Sequence, residues 1–170
     1  PRSTARTWED TRQHGTMLLK SLLDIEAVVI SCVNGPALRH VELPLLADVV
    51  LASETATFQD SGHLPNRLTP GDGVQIVLPL LLGANRGRYF LLTGQTLDAV
   101  EAQRLGLVAE VLPSEDLLPR AWALARELVK QNPLALRYSK ILLTETLRRR
   151  VHDQLGYGLA LEGLAAVDES

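Results

Sequence analysis

Residues 27–52 read AVVISCVNGPALRHVELPLLADVVLA, and this stretch decides the fold because two apolar runs flank a turn and a short polar segment. The first run, residues 27–33, is rich in β-branched side chains and stops at Asn34-Gly35-Pro36, a combination typical of a buried strand ending in a turn. The second run, residues 48–52, is also largely apolar. Continuous rather than alternating apolar runs predict strands that are covered on both faces.

Other elements follow from capping residues and periodicity. Asp98 with Glu101 forms an acidic capping box, and Asn132-Pro133 supplies a cap followed by a first-turn proline. The predicted elements are a helix over residues 5–23, a short helix ending near 46, a strand at 108–112, and helices over 98–106, around 117–128, from 133 to the arginine run 148–150, and over 153–167.

Composition restricts the class of protein. The chain has 170 residues, 46% of them hydrophobic and 22% charged, with a net charge of −3. These values predict a globular protein and not a nucleic-acid-binding one. The order of the predicted elements indicates one α/β domain, with a core over residues 1–112 and a helical region over 113–170. A lone Cys32, no signal-peptide pattern and no membrane-length apolar run predict a soluble cytoplasmic protein without membrane association.

Standard cofactor signatures are missing from the sequence. It contains no Gly-x-Ser-x-Gly elbow, no phosphate-binding loop and no dinucleotide fingerprint. The histidines do not have the spacing of a zinc site, so no metal is expected. The titratable groups on turns therefore become the candidates, and most of them lie within residues 33–73, where glycine and proline indicate loops.

His63 and Asp72 lie on such turns, and a histidine with a carboxylate partner is a common general-base arrangement. A solvated loop histidine and a helix N-cap are the other interpretations of these two residues, and spacing leaves both open. His40 and Glu42 follow a turn where backbone N–H groups can stabilise an oxyanion, or they form the polar face of a short helix. Glu162 lies on an apolar helical stripe, which indicates a site or the rim of a subunit contact.

A series of short strings resembles the crotonase superfamily, which contains the enoyl-CoA hydratases and isomerases. The strings are Val33-Asn34-Gly35-Pro36-Ala37, Glu42-Leu43, Ala47-Asp48-Val49-Val50-Leu51-Ala52, Ala56-Thr57-Phe58, Pro70-Gly71-Asp72-Gly73 and Leu92-Thr93-Gly94. Each string is weakly specific, but their order and spacing match over nearly the whole chain. The resemblance implies a crotonase-like ββα spiral core, a helical C-terminal trimerisation region, and a homotrimer or dimer of trimers. It also implies an N-terminal β-rich segment, which the residues before Trp8 do not supply.

Two departures from the hydratases concern their catalytic positions. Hydratases carry a glycine triplet before the first catalytic glutamate, whereas Arg39-His40-Val41 precedes Glu42 here. Counting back from Pro70-Gly71, His63 falls where hydratases have their second catalytic glutamate. These departures are similar to the β-diketone hydrolase branch of the superfamily, typified by 6-oxocamphor hydrolase.

The narrower resemblance implies that His63, Asp72 and Glu162 are catalytic and that His40 binds a substrate carbonyl. It implies retro-Claisen hydrolysis of a C–C bond in a cyclic or bicyclic β-diketone, giving a keto acid without CoA, metal or other cofactor. The expected partner is thus a small-molecule diketone. Two alternatives stay open, namely a CoA-thioester hydratase or isomerase that uses Glu42, and a non-catalytic assembly protein of the same fold.

Overall fold

Two small sheets organise the chain in the computed structural model, which describes residues 4–168. The strands are β1 Ile30–Val33, β2 Pro36–Ala37, β3 Val49–Ser53, β4 Thr57–Phe58, β5 Leu97–Asp98 and β6 Glu110–Leu112. One sheet is parallel with the order β1-β3-β6. In the other sheet, β4 pairs in parallel with β2 and antiparallel with β5.

Helices surround these sheets. They are α1 Ala5–Leu23, α2 Glu42–Leu45, α3 Val74–Leu82, α4 Ala84–Thr93, α5 Ala99–Arg104, α6 Ser114–Leu128 and α7 Pro133–Val167. The helix predicted over residues 5–23 is confirmed at both ends, and Thr4 caps its N-terminus through the backbone N–H of Thr7. None of the helices in the described range is long and apolar enough to span a lipid bilayer.

The parallel sheet is covered on both faces, as its continuous apolar strands predict. Leu51 of β3 is fully buried and packs with Leu117 and Ala121 of α6. Its neighbours Val50 and Ala52 point the other way and belong to the main hydrophobic core. Alternate residues of one strand therefore contribute to two separate apolar layers, which fixes the register of the strand.

The helices predicted on either side of residues 150–153 are in fact one continuous helix, α7, of 35 residues. Arg149 and Arg150 of the run that suggested an end are exposed, while Val151 and Leu155 continue the buried stripe through it. Arg148 lies within the helix and donates hydrogen bonds to the Leu23 carbonyl (2.6 Å) and to Asp24 (2.8 Å) at the end of α1. Tertiary burial of one helical face thus overrides a local signal for termination.

The outer face of α7 keeps its apolar side chains exposed. Tyr157 is 71% exposed and Leu164 is 66% exposed in the single chain. The resemblance implies a trimerisation region in the C-terminal helices, and the packing within one chain does not bury this face. A trimer contact there stays a prediction.

An ion pair joins α7 to the parallel sheet. The ammonium of Lys140, whose side chain is 2% exposed, donates to Asp48 Oδ2 at 2.5 Å. Asp48 Oδ2 also accepts the backbone N–H of Val29 at 2.8 Å, just before β1. One carboxylate therefore satisfies a buried cation and a backbone donor.

We expect Asp48→Ala to lower the free energy of unfolding by about 3 kcal/mol or more, because it leaves the Lys140 ammonium buried without its partner. Urea denaturation measures this change. The matched control is Glu127→Ala, which breaks a largely exposed pair with Lys130 and should change stability by less than about 1 kcal/mol. Equal effects of the two substitutions would contradict the assigned role of the Asp48–Lys140 pair.

Candidate active site

Three segments bring titratable side chains to one place. The loop between β4 and α3 carries Asp60, His63 and Asp72. The turn ahead of α2 carries His40, and Glu42 is the first residue of α2. Glu162 comes from the last turns of α7. The structure therefore brings together all the residues that the sequence analysis singled out for catalysis or carbonyl binding.

His63 lies at the centre of this cluster and is only 4% exposed. Its Nδ1 lies 2.7 Å from Asp60 Oδ1. Its Nε2 lies 3.4 Å from Asp72 Oδ1 and 3.5 Å from Glu162 Oε1. Both ring nitrogens thus face carboxylates, and a solvated loop histidine is the wrong interpretation of this residue.

Asp60 is the functional candidate that the sequence analysis missed. The prediction paired His63 with Asp72, whereas the shortest contact of the ring is with Asp60, itself 3% exposed. The signal was present in Asp60-Ser61-Gly62-His63, where an aspartate precedes a histidine by three residues on a turn. The Gly62 N–H also donates to Asp60 Oδ1, at 3.3 Å, so the turn itself orients this carboxylate.

His40 contacts the other oxygen of Asp72. Its Nδ1 lies 3.1 Å from Asp72 Oδ2 and 3.3 Å from Glu42 Oε1. The backbone of His40 has a φ of 49°, in the left-handed region that is unfavourable for residues other than glycine. Such strain concentrates at functional sites, where the surrounding contacts hold it in place.

Glu42 is completely buried, at 0% exposure. The interpretation as the polar face of a short helix is therefore wrong for Glu42, although His40 and Arg39 are exposed. Its Oε2 has no hydrogen-bond partner among residues 4–168. Burial, followed by the neighbouring charge of Asp72, raises the pKa of Glu42 to about 7.

Asp72 does not cap α3. The N-cap residue is Gly73, and no side chain caps this helix N-terminus. Hydrogen bonds with His40 and His63 hold the pKa of Asp72 well below its ordinary value, although burial opposes them. Asp72 is therefore an anion that joins the two histidines.

Glu162 is 5% exposed and lies inside the cluster, not at an exposed rim. Its Oε2 is another buried oxygen without a hydrogen-bond partner in the described part of the chain. Burial raises the pKa of Glu162 above its ordinary value, even though His63 opposes the shift. This carboxylate is thus a stronger base than an exposed glutamate.

A glycine–glycine contact puts Glu162 within reach of the loop. A Cβ on Gly71 would overlap the carbonyl oxygen of Gly158 in α7 and lie 2.9 Å from the Cβ of Glu162. Gln75 fixes this approach, since its amide donates to the Gly71 carbonyl and its Oε1 accepts the Gly73 N–H, each at 2.9 Å. Any side chain on either glycine would separate Asp72 from Glu162.

The protonation state of the histidines follows from these neighbours. Burial lowers the pKa of His63, but hydrogen bonds with Asp60, Asp72 and Glu162 outweigh it and raise the pKa far above 6.5. The hydrogen bond with Asp72 raises the pKa of His40 to about 9. At neutral pH both rings are therefore imidazolium ions. This changes the expectation of a neutral, basic His63.

A cavity of about 210 Å³ opens onto these groups. Its lining consists of Arg39, His40, Gly62, His63, Leu68, Asp72 and Glu162. Larger cavities, of about 390, 380 and 230 Å³, lie elsewhere in residues 4–168. We assign the site to the smaller cavity because convergent acid–base groups with shifted pKa values, and not volume, indicate chemistry.

Two sets of side chains have possible metal-ligand atoms within 4.8 Å of one another in residues 4–168. They are His40, Glu42 and Asp72, and His63, Asp72 and Glu162. To bind a cation, each histidine would have to give up a proton that its raised pKa favours. The absence of a metal cofactor stays a prediction.

The model of the enoyl-CoA hydratase/isomerase family matches residues 2–163. The chain belongs to this family. Among curated relatives, it is 35% identical over 159 residues to the 2,3-dehydroadipyl-CoA hydratase of Escherichia coli K12, covering 93% of this chain and 59% of the relative. It is 33% identical over 135 residues to a short-chain enoyl-CoA hydratase of Clostridioides difficile, covering 79% of this chain and 84% of that one.

Solved structures confirm the crotonase fold. The chain superimposes with a TM-score of 0.94 and 52% identity on ABDH, a β-diketone hydrolase from the cyanobacterium Anabaena sp. PCC 7120. That structure is bound to (S)-3-oxocyclohexyl acetic acid, and the match covers 96% of this chain and 65% of ABDH. An enoyl-CoA hydratase/isomerase from Mycobacterium paratuberculosis gives a TM-score of 0.91 at 28% identity, with coverage of 99% and 67%.

The chain spans about half the length of several curated relatives that it matches, for example 53% of a probable mycobacterial enoyl-CoA hydratase that is 34% identical over 142 residues. The activity of a whole protein with this sequence is therefore a proposal.

We expect Gly158→Ala to lower the free energy of unfolding by about 1–3 kcal/mol, because the new methyl group overlaps the Gln75 amide and the Gly71 carbonyl. The matched control is Gly156→Ala in the same helix, where nothing lies within 4 Å of the added Cβ. That change should stabilise the protein by about 0.5–1 kcal/mol, because alanine is the better helix former. Thermal and urea denaturation compare the two, and similar effects would refute the close-contact argument.

His40 should make stability depend on pH. Its pKa is about 9 in the folded protein against 6.5 for an unperturbed histidine, so its stabilising effect is complete below about pH 6.5 and lost as pH rises through about 9. We expect the stability advantage of wild type over His40→Gln to shrink by about 1 kcal/mol over that range, since the ring is largely exposed to screening. Urea denaturation of both proteins at several pH values tests this. An advantage that grows with pH would contradict it.

Proposed function

We propose that the protein hydrolyses a C–C bond of a cyclic or bicyclic β-diketone by a retro-Claisen reaction. One observation carries the proposal: the buried ring of His63 lies between Asp60 on one nitrogen and Asp72 and Glu162 on the other. Hydratases of the resembled type are expected to have a glutamate at this position. The 52% identity to a β-diketone hydrolase supports the same choice.

Glu162 is the residue we assign as general base. Asp72 has a lowered pKa and is a weak base, and His63 already carries a proton. Glu162 Oε2 is buried and free of hydrogen-bond partners within residues 4–168, and the residue lines the cavity. It takes a proton from water as the water oxygen forms a bond to one carbonyl carbon of the diketone.

His40 is the residue we assign to the carbonyl oxygen. Its Nδ1 is directed to Asp72 and Glu42, which leaves Nε2–H as the donor available to the cavity. Addition of water converts the carbonyl oxygen into an oxyanion, and a charged donor already in place stabilises the oxyanion more than the ketone. The positive charge of His40 also offsets the surrounding carboxylates.

His63 is the residue we assign as general acid. When the tetrahedral adduct collapses, the C–C bond breaks and its electron pair passes into the enolate of the second carbonyl. The His63 imidazolium gives the Nε2 proton to the enolate carbon, and Glu162 returns the proton taken from water across the 3.5 Å that separates it from His63. The new carboxylic acid loses its proton to solvent, so one diketone and one water give one keto acid.

Hydration of a CoA thioester is the second candidate. The curated relatives named above are enoyl-CoA hydratases, and Glu42 falls where the resemblance expects their first catalytic glutamate. In this chain, however, Glu42 Oε1 faces His40. The histidine at position 63 also replaces the second glutamate that thioester hydration is expected to use.

The test is a side-by-side assay of the full-length protein on a bicyclic β-diketone and on crotonyl-CoA, in water labelled with a heavy oxygen isotope. We expect cleavage of the diketone with one labelled oxygen in the new carboxylate. His63→Gln and Glu162→Gln should each lower kcat on the order of 10²–10⁴-fold, as loss of acid–base catalysis does. The surface change Glu127→Gln should leave kcat unchanged.

Other outcomes separate the alternatives. Hydration of the thioester without cleavage of the diketone would overturn the proposal in favour of a hydratase. A protein that is folded and inactive on both substrates would contradict it and favour the non-catalytic assembly role.

A further inference from the structure

The proposed mechanism leaves one buried titratable group unused, the carboxyl of Glu42. Its side chain is 1% exposed. It does not line the cavity that His40, His63 and Glu162 share. A group that does not reach the cavity cannot touch the substrate, so Glu42 must act, if it acts at all, through a neighbour.

His40 is the neighbour that Glu42 contacts. Glu42 Oε1 lies 3.3 Å from Nδ1 of His40, the same nitrogen that contacts Asp72 Oδ2 at 3.1 Å. Two carboxylates thus converge on one ring nitrogen from different elements, α2 and the loop before α3. The ring is otherwise 64% exposed, and no other side chain of residues 4–168 is recorded in a hydrogen bond or ion pair with it.

The backbone conformation of His40 explains why its ring needs contacts with carboxylates to keep one orientation. His40 has a φ of 49° and is followed directly by α2, with the Leu43 N–H donating to the His40 carbonyl at 3.0 Å. An exposed ring on a strained residue would sample several rotamers.

We propose that Glu42 is a positioning residue, whose buried carboxyl holds the His40 ring through Nδ1 so that Nε2–H is directed to the carbonyl-binding cavity. This role rests on the proposed function, in which His40 binds the carbonyl oxygen. It differs from the role of a hydratase glutamate, because Glu42 exchanges no proton with the substrate. An acceptor at Oε1 is sufficient for it, and ionisation is not required.

The conservative variant separates positioning from proton transfer. Glu42→Gln keeps an oxygen acceptor at the same place, whereas Glu42→Met fills the same volume without one. We expect Glu42→Gln to keep kcat for diketone cleavage within about threefold of wild type. Glu42→Met should lower kcat on the order of 10- to 100-fold, with little change in KM. The reason is that a wrongly directed His40 donor stabilises the oxyanion of the transition state less, and affects binding of the ground-state substrate little.

A spectroscopic measurement tests the same contact without turnover. Proton–nitrogen correlation spectra of the imidazole rings of the full-length protein report the state of each His40 nitrogen. We expect the His40 Nδ1 resonance to shift in Glu42→Met and to stay near its wild-type position in Glu42→Gln. The control Glu127→Gln, on the exposed side of α6, should change neither the spectrum nor the kinetics.

Two results would overturn the positioning role. One is equal loss of kcat in both Glu42 variants with unchanged His40 resonances, which would make Glu42 a proton-transfer group. The other is an unchanged His40 spectrum and unchanged kcat in Glu42→Met. If the wild-type protein does not cleave a diketone, the proposed function fails, and the spectra still decide whether Glu42 holds His40.

Discussion

The contact between Gly71 and Gly158 is the constraint on which the site depends. It allows the loop before α3 to lie directly against α7, with Gln75 holding the loop in place through Gly71 and Gly73. Without this approach Glu162 would not reach His63, and the cavity would lack this buried carboxyl group. Helix α7 can hold that position because it is also joined to α1 through Arg148 and to the parallel sheet through Lys140. The close approach of the two glycines is thus maintained by the contacts that α7 makes with distant parts of the chain.

The electrostatics of the site follow from this crowding. Asp60, Asp72 and Glu162 surround His63, and an ionised Asp72 reaches His40 as well. Carboxylates at such distances are tolerated in a buried site only with compensating positive charge, which the two imidazolium ions provide. The same compensation raises the pKa of both histidines and lowers that of Asp72. Acid and base roles are therefore assigned by environment and not by residue type.

The family fold accommodates this chemistry with few changes. The loop and α2 place their side chains where the resemblance expects the two glutamates of the hydratases, and here one position is His63. In the proposed reaction, a histidine replaces that carboxylate and the base comes from α7 as Glu162. The remaining carboxylate, Glu42, then faces a histidine that precedes it by two residues. The proposed reaction and the proposed positioning role both follow from this redistribution of charge.

The sequence by itself predicted the three strands of the parallel sheet and the first helix, but not β2, β4 or β5. Apolar continuity predicted buried strands, and the family resemblance predicted His40, His63, Asp72 and Glu162, because both depend on local pattern. Tertiary structure alone decided that α7 is continuous, since burial of one face outweighs a polar run. It also decided that Asp60 is the nearest partner of His63 and that both histidines are charged. Distances between segments and the burial of charges arise only when distant parts of the chain pack together.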